Sequence, residues 1–190
     1  MWALVEDNNI SEIISNPKPM VIGDVQYPSN IFTSWSSTEL EAIGLYEISV
    51  DESNLKDNRY YVNGDIVYTY DSSGDAVSGA YPSAVAKPLD DVLWLESDEK
   101  PAGVSTGDVK TEGLRNIFKK QVNEEAGSLL SEYDWYVLRE ADGGTAVPSN
   151  VATYRAAVRT KANEHTTAID NAADVDALAA LEYDWPTLGS

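Results

Sequence analysis

Glu96-Ser97-Asp98-Glu99-Lys100-Pro101-Ala102-Gly103-Val104-Ser105-Thr106-Gly107 is polar, carries a proline and two glycines, and has no hydrophobic period. It separates two kinds of pattern. Before it, apolar runs alternate with turn residues. Trp2 to Val5 and Ile10 to Ile14 flank Asn8-Asn9, and Met20 to Ile22 and Val25 to Tyr27 flank Gly23-Asp24, so two hairpins are predicted. Ser36 and Glu39 have capping-box spacing ahead of Leu40 and Ile43, with Gly44 as the stop, which predicts a short helix followed by a strand over 45–50. Asn63-Gly64 lies between Tyr60-Tyr61-Val62 and Ile66-Val67-Tyr68-Thr69-Tyr70, the signature of a type I′ hairpin. A turn over 71–75 returns the chain through 76–86 as a third strand of that meander.

After the polar stretch the spacing becomes helical. Leu114, Ile117, Phe118, Val122, Leu129 and Leu130 recur near one face, with Lys119, Lys120, Glu124 and Glu125 largely opposite. Pro148-Ser149 begins a second helix, capped by Ser149, with Val151, Tyr154, Val158 and Ala162 as its stripe. Asp174 caps a third, carrying Val175, Leu178 and Leu181. The fold class expected is α+β: a small antiparallel β-rich N-terminal unit over 1–95, a linker over 96–109, and a helical C-terminal unit over 110–190.

Composition excludes several functions. Of the 190 residues, 32 are acidic and 13 basic, for a net charge of -19, which repels phosphate backbones, so no nucleic-acid partner is expected. The excess is spread along the chain, fifteen acidic and four basic residues up to Leu95 and seventeen and nine after it. Without cysteine there is no disulfide, thiolate metal site or thiol nucleophile. The start of the chain has no basic region ahead of an apolar run, and no stretch approaches the roughly 20 apolar residues of a membrane span, so neither a secretory leader nor a membrane partner is expected. The single histidine, His165, can build neither a zinc cluster nor a triad, and is expected on a solvated or half-buried helix face. Asp71, Ser73 and Asp75 alternate like calcium ligands, but Gly74 stands too early for an EF-hand, and turn chemistry explains the same residues. No glycine-rich phosphate loop is present. The expectation is a non-enzyme without cofactor or metal.

Five Trp and eleven Tyr against two Phe favour rings with a polar edge, the kind enriched at protein interfaces and sugar platforms. One block concentrates them: Leu129-Leu130-Ser131-Glu132-Tyr133-Asp134-Trp135-Tyr136-Val137, followed by Val147-Pro148 and then Tyr154, Arg155 and Arg159. It reads as a helix, a corner filled by Trp135, a loop through Asp142-Gly143-Gly144, and a second helix whose Tyr154 packs back on the corner. Arg155 and Arg159, one turn apart, suit either a partner's carboxylates or an internal pair with Asp134 or Glu140. Glu182-Tyr183-Asp184-Trp185 repeats Glu132-Tyr133-Asp134-Trp135, by weak duplication or by coincidence.

The succession Leu129, Leu130, Asp134, Trp135, Pro148, Tyr154, Arg155 and Arg159 resembles the C-terminal region of bacteriophage tail-fibre assembly proteins and related phage tail proteins. Trp35, Leu40, Gly44 and Tyr46 are similar, more loosely, to the front of such proteins. The resemblance implies a structural or adaptor protein that binds other tail or tail-fibre proteins, found in the host cytoplasm during assembly and then in the tail of the virion. It carries no catalytic residue. The protein-binding residues expected are Trp135, Tyr136, Tyr154, Arg155 and Arg159, and a homo-oligomer is compatible with the sequence, which specifies no symmetry. The alternatives are a fibre-assembly chaperone absent from the mature particle, or a carbohydrate-binding module using exposed Trp94 or Trp185 for host attachment.

Overall fold

The structure, a computed structural model, describes residues 1–189. It is an α+β fold of two compact units, Met1–Val85 and a second beginning at Ala86. The first unit opens with an antiparallel hairpin of β1 (Trp2–Glu6) and β2 (Asn9–Ile14). Its turn is Asp7-Asn8, one residue earlier than the sequence suggests, and both residues take the positive φ that a type I′ turn requires (51° and 61°). Ser11 is the extra residue of a bulge, because Leu4 faces Glu12 while Val5 faces Ile10. A second hairpin, β3 (Met20–Ile22) and β4 (Val25–Tyr27), turns at Gly23-Asp24 as expected.

Two short helices follow, α1 (Ile31–Ser34) and α2 (Ser37–Glu41). The capping box forms: the Glu39 backbone N–H donates to the Ser36 hydroxyl oxygen, and the Ser36 N–H donates to the Glu39 carboxylate at 2.8 Å. Gly44 then reverses the chain at a φ of 82°, with no room for a side chain, since a Cβ would lie 2.7 Å from the Val5 carbonyl oxygen. That reversal delivers the expected strand, β5 (Leu45–Asp51), alongside β1.

The Asn63-Gly64 hairpin does not form. β6 (Tyr61–Val62) and β7 (Val67–Asp71) are not partners; β7 pairs with β8 (Ala76–Ala80) across the 71–75 turn, and β6 pairs with β9 (Val85–Ala86). The Asn63 side chain is used elsewhere. Its amide donates to the Lys56 carbonyl (2.7 Å) and its oxygen accepts from the Lys56 N–H (2.9 Å), which ties the residue to the preceding loop. Gly64 keeps its glycine for a different reason, because a Cβ there would sit 2.6 Å from the Pro82 ring.

The main sheet has the order β2-β1-β5-β8-β7, antiparallel except for the parallel pair β5 and β8. Strand alternation sorts its side chains into two apolar faces. Trp2, Leu4 and Leu45 point to one, where Ile31, Phe32 and Leu40 of the short helices cover them together with Met20 of the second hairpin. Ala3, Tyr46, Ile48 and Val77 point to the other and meet Tyr68 and Tyr70. The edge strands β2 and β7 come within 8 Å of each other between Cα atoms, so the sheet curls around this second face.

The second unit begins with a two-stranded ladder, β10 (Val92–Leu93) and β11 (Val109–Thr111). The polar stretch 96–107 lies inside this unit, as the connection between those strands. Four helices follow: α3 (Leu114–Ser131), α4 (Asp134–Ala141), α5 (Ser149–Asn171) and α6 (Val175–Ala179). α3 buries Leu114, Phe118, Val122 and Ala126, and α5 buries Val151, Tyr154, Val158, Ala162 and Ile169. Each large apolar side chain so buried contributes roughly 1.5–3 kcal/mol. Asp174 caps α6 by accepting from the Ala177 N–H at 2.7 Å. Ser149 does not cap α5; Pro148 holds that position, with no side-chain cap bond.

Candidate functional site

α4 separates the end of α3 from the loop into α5, where the sequence predicts a corner and a loop. Asp134 in its first turn and Arg139 in its last both oppose the helix dipole. Its C-terminus closes as a Schellman motif: Gly144 N–H donates to the Arg139 carbonyl at 2.9 Å and Gly143 N–H to the Glu140 carbonyl at 3.0 Å. The Arg139 guanidinium then holds the following loop by donating to the carbonyls of Thr145 (3.0 Å) and Ala146 (3.2 Å). Its C-terminal end is thus fixed, and its first turn is tied by the pair of the Asp134 carboxylate with the Arg155 guanidinium of α5.

None of its eight residues is buried. Its large apolar side chains face outward instead: Trp135 is 52% exposed, Val137 41% and Leu138 65%. Trp135 and Leu138, three apart, share one side of the helix. Arg139 lies beside them, its guanidinium carbon 5.0 Å from the Trp135 ring centre and 5.2 Å from that of Tyr136. The two rings themselves are 3.7 Å apart between centroids. The result is an apolar and aromatic ridge with one cation, bordered by the exposed carboxylates of Glu132, Asp134, Glu140 and Asp142.

The five residues expected to bind protein are divided among three environments. Trp135 and Tyr136 lie on this ridge, Trp135 exposed and Tyr136 half-buried. The corner between α3 and α5 is filled by Tyr133 and not by Trp135: its ring meets Tyr154 edge-on at 5.3 Å, and Tyr154 is buried. Trp135 points away because it falls on the outer side of α4, a helix where the sequence predicts a corner. Burial holds the Tyr154 phenol above its ordinary pKa. Arg155 is buried as well, and takes the internal role. Its guanidinium pairs with the Asp134 carboxylate at 2.8 Å and donates to the Leu130 carbonyl at 2.6 Å, in the last turn of α3, where the Tyr133 N–H also donates at 3.1 Å. Arg159 is exposed, with a single long bond to the Arg155 carbonyl of its own helix (3.4 Å).

His165 lies in the core and not on the solvated or half-buried face its sequence context predicts. It is 6% exposed, with its Nε2 donating to the Asp184 carbonyl at 2.9 Å. Tyr183 and Trp185 meet its ring edge-on at 5.3 and 5.2 Å, so Trp185 is half-buried against α5. Trp94 is covered on one face by the Lys110 amine at 4.5 Å. In the 71–75 turn, Asp71 Oδ1 accepts from the Ser73 N–H (2.9 Å) and hydroxyl (2.6 Å), so turn bonding occupies those oxygens. Among the described residues no group of three His, Asp or Glu side chains is placed to hold a metal, and no helix is long and apolar enough to cross a membrane.

No family model matches the chain, and neither does any curated protein or solved structure.

Proposed function

We propose that the chain is a non-catalytic binding protein that docks on a partner protein through the outward ridge of α4. The observation that carries this reading is that α4 is pinned at both ends yet buries none of its apolar side chains. A rigid ridge of Trp135, Tyr136 and Leu138 with a polar rim has the composition of an interface core, where aromatic residues and arginine are enriched. The resemblance of the segment from Leu129 to Arg159 to tail-fibre assembly proteins names the partner class: a bacteriophage tail or tail-fibre protein, with the chain as a virion component.

Two measurements test the reading. The chain is co-expressed with bacteriophage tail and tail-fibre proteins, and the complex is isolated; the expected result is a stable complex that Leu138→Asp abolishes. Mass spectrometry of purified particles then places the chain. Its presence is expected, and its presence in the lysate but not in particles would replace the virion role with that of an assembly chaperone. If no tail protein is retained, the proposal fails.

A further inference from the structure

The Glu-Tyr-Asp-Trp sequence occurs twice, at Glu132 to Trp135 and at Glu182 to Trp185, and both copies lie on α5. The two placements follow one rule: the tyrosine ring meets an aromatic ring of α5 edge-on, and the aspartate pairs with a cation of α5. In the first, Tyr133 meets Tyr154 at 5.3 Å and Asp134 meets Arg155 at 2.8 Å. In the second, Tyr183 meets His165 at 5.3 Å and Asp184 meets Lys161 at 3.0 Å. The tryptophans differ. Trp135 turns outward, whereas Trp185 lies against His165.

The two copies differ in how they are held. Glu132 to Trp135 joins α3 to α4, so helices on both sides fix it. The 181–189 segment follows α6 and contains no helix or strand. Its hold on α5 includes the ring contacts, the His165 to Asp184 carbonyl bond, the Lys161 pair and a 3.3 Å bond from the Asn150 amide to the Gly189 carbonyl. Lys161 is also shared with Glu164 at 3.3 Å. The indole N–H of Trp185 is buried without an acceptor, which weakens the seat. Between the segment and α5 a cleft of about 320 Å³ remains open beside Asn150, Thr153, Tyr154, Pro186 and Thr187.

We infer that the Lys161 and His165 seat on α5 accepts the 181–189 segment of a second copy as well as its own, giving a reciprocal segment-exchanged dimer. Exchange needs no new complementarity, because each contact made within one chain is remade between two. The Lys161 amine with the Asp184 carboxylate, and the His165 Nε2–H with the Asp184 carbonyl, fit each other in either arrangement. Within one chain the short connection from α6 raises the local concentration of the segment, on the order of 1 mM for a short tether, so the closed monomer dominates until its pairing is disturbed.

Charge reversal disturbs it selectively. Lys161→Glu and Asp184→Lys each place like charges across the seat of their own chain, at side chains outside the core. Mixed in equal amounts, the two variants match only between chains, and they match in both directions. Sedimentation velocity is expected to find monomers in each separate sample and a 1:1 dimer in the mixture. The double variant, which restores the pair within one chain, should be monomeric and as helical as the unmodified chain. A fluorescent peptide of residues 180–189 should also bind Asp184→Lys and fail to bind Lys161→Glu. A mixture that remains monomeric at about 1 mM, the tether's own scale, overturns the inference. So does a dimer formed by either variant alone, or a peptide that binds both variants equally.

Discussion

The Tyr46 hydroxyl donates to Asp75 Oδ1 at 2.6 Å, joining β5 to the residue that ends the 71–75 turn, 29 positions away. The same oxygen accepts from Tyr70 at 2.7 Å, so one carboxylate serves two phenols whose rings lie 5.2 Å apart. Asp75 holds a φ of 49°, uncommon for a non-glycine residue. Its bonds to Tyr46 and Tyr70 hold the carboxyl below its ordinary pKa, and the same bond to Asp75, followed by the contact with Tyr70 and burial, holds the Tyr46 phenol well above its own.

The pH dependence follows from those directions. Stability drawn from the depressed Asp75 pKa is present above its unfolded value of 3.8 and is lost as pH falls through the lower folded value. Stability drawn from the raised Tyr46 pKa is present below its unfolded value of 10.0 and is lost as pH rises toward the folded one. Tyr46→Phe should therefore cost about 1 kcal/mol at neutral pH, and the cost should shrink above the ordinary phenol value. Urea denaturation of both proteins at neutral and alkaline pH checks this; a constant gap would exclude the linkage.

Arg155→Met keeps much of the aliphatic stem and removes both charged hydrogen bonds, to Asp134 and to the Leu130 carbonyl. It should destabilise the chain by about 1.5–3 kcal/mol, the range for hydrogen bonds to charged groups. Asp134→Asn should cost less, because that side chain is 55% exposed and water screens its half of the pair. Equilibrium unfolding of the two variants gives the order.

At Gly44, alanine would adopt a left-handed conformation at a cost of roughly 1–2 kcal/mol. Its Cβ would also press on the Val5 carbonyl. Thermal melting should report a lowered midpoint for Gly44→Ala, and a crystal structure should find β1 displaced from the start of β5.

Leu138→Asp and Trp135→Ala alter exposed positions, so Leu138→Asp should change stability by no more than about 0.5 kcal/mol. Both should nevertheless lose partner binding. Loss of binding with an unchanged unfolding midpoint separates a contact surface from a folding defect.

Much of the fold is legible where a local rule acts alone. The capping box at Ser36 and Glu39, the turn at Gly23-Asp24 and the cap at Asp174 each need only a few neighbouring residues. Asn63-Gly64 misleads because a distant claim outweighs the local preference: the Asn63 side chain is committed to Lys56, and β7 finds its partner in β8. The parallel pairing of β5 with β8 left no local trace at all. On α5 the stripe of Val151, Tyr154, Val158 and Ala162 is readable, and the Arg155 pair with Asp134 is one of the two roles its position allows, but nothing local beyond their spacing, one after Tyr154 and three after Ala162, puts Arg155 and His165 on the same buried face. α4 is not legible because a helix with its apolar residues facing water has no core-directed stripe.

The bulge at Ser11 lies on the edge strand β2, and the opposite edge β7 curves back to within 8 Å of it. A bulged edge interrupts the even row of donors and acceptors that an incoming strand would need, and a facing edge narrows its approach. The β-unit is thereby guarded against growing by backbone pairing into fibrous aggregates, even where many copies accumulate together. On the proposed reading, recruitment of neighbours is left to side chains, whose chemistry can choose among them.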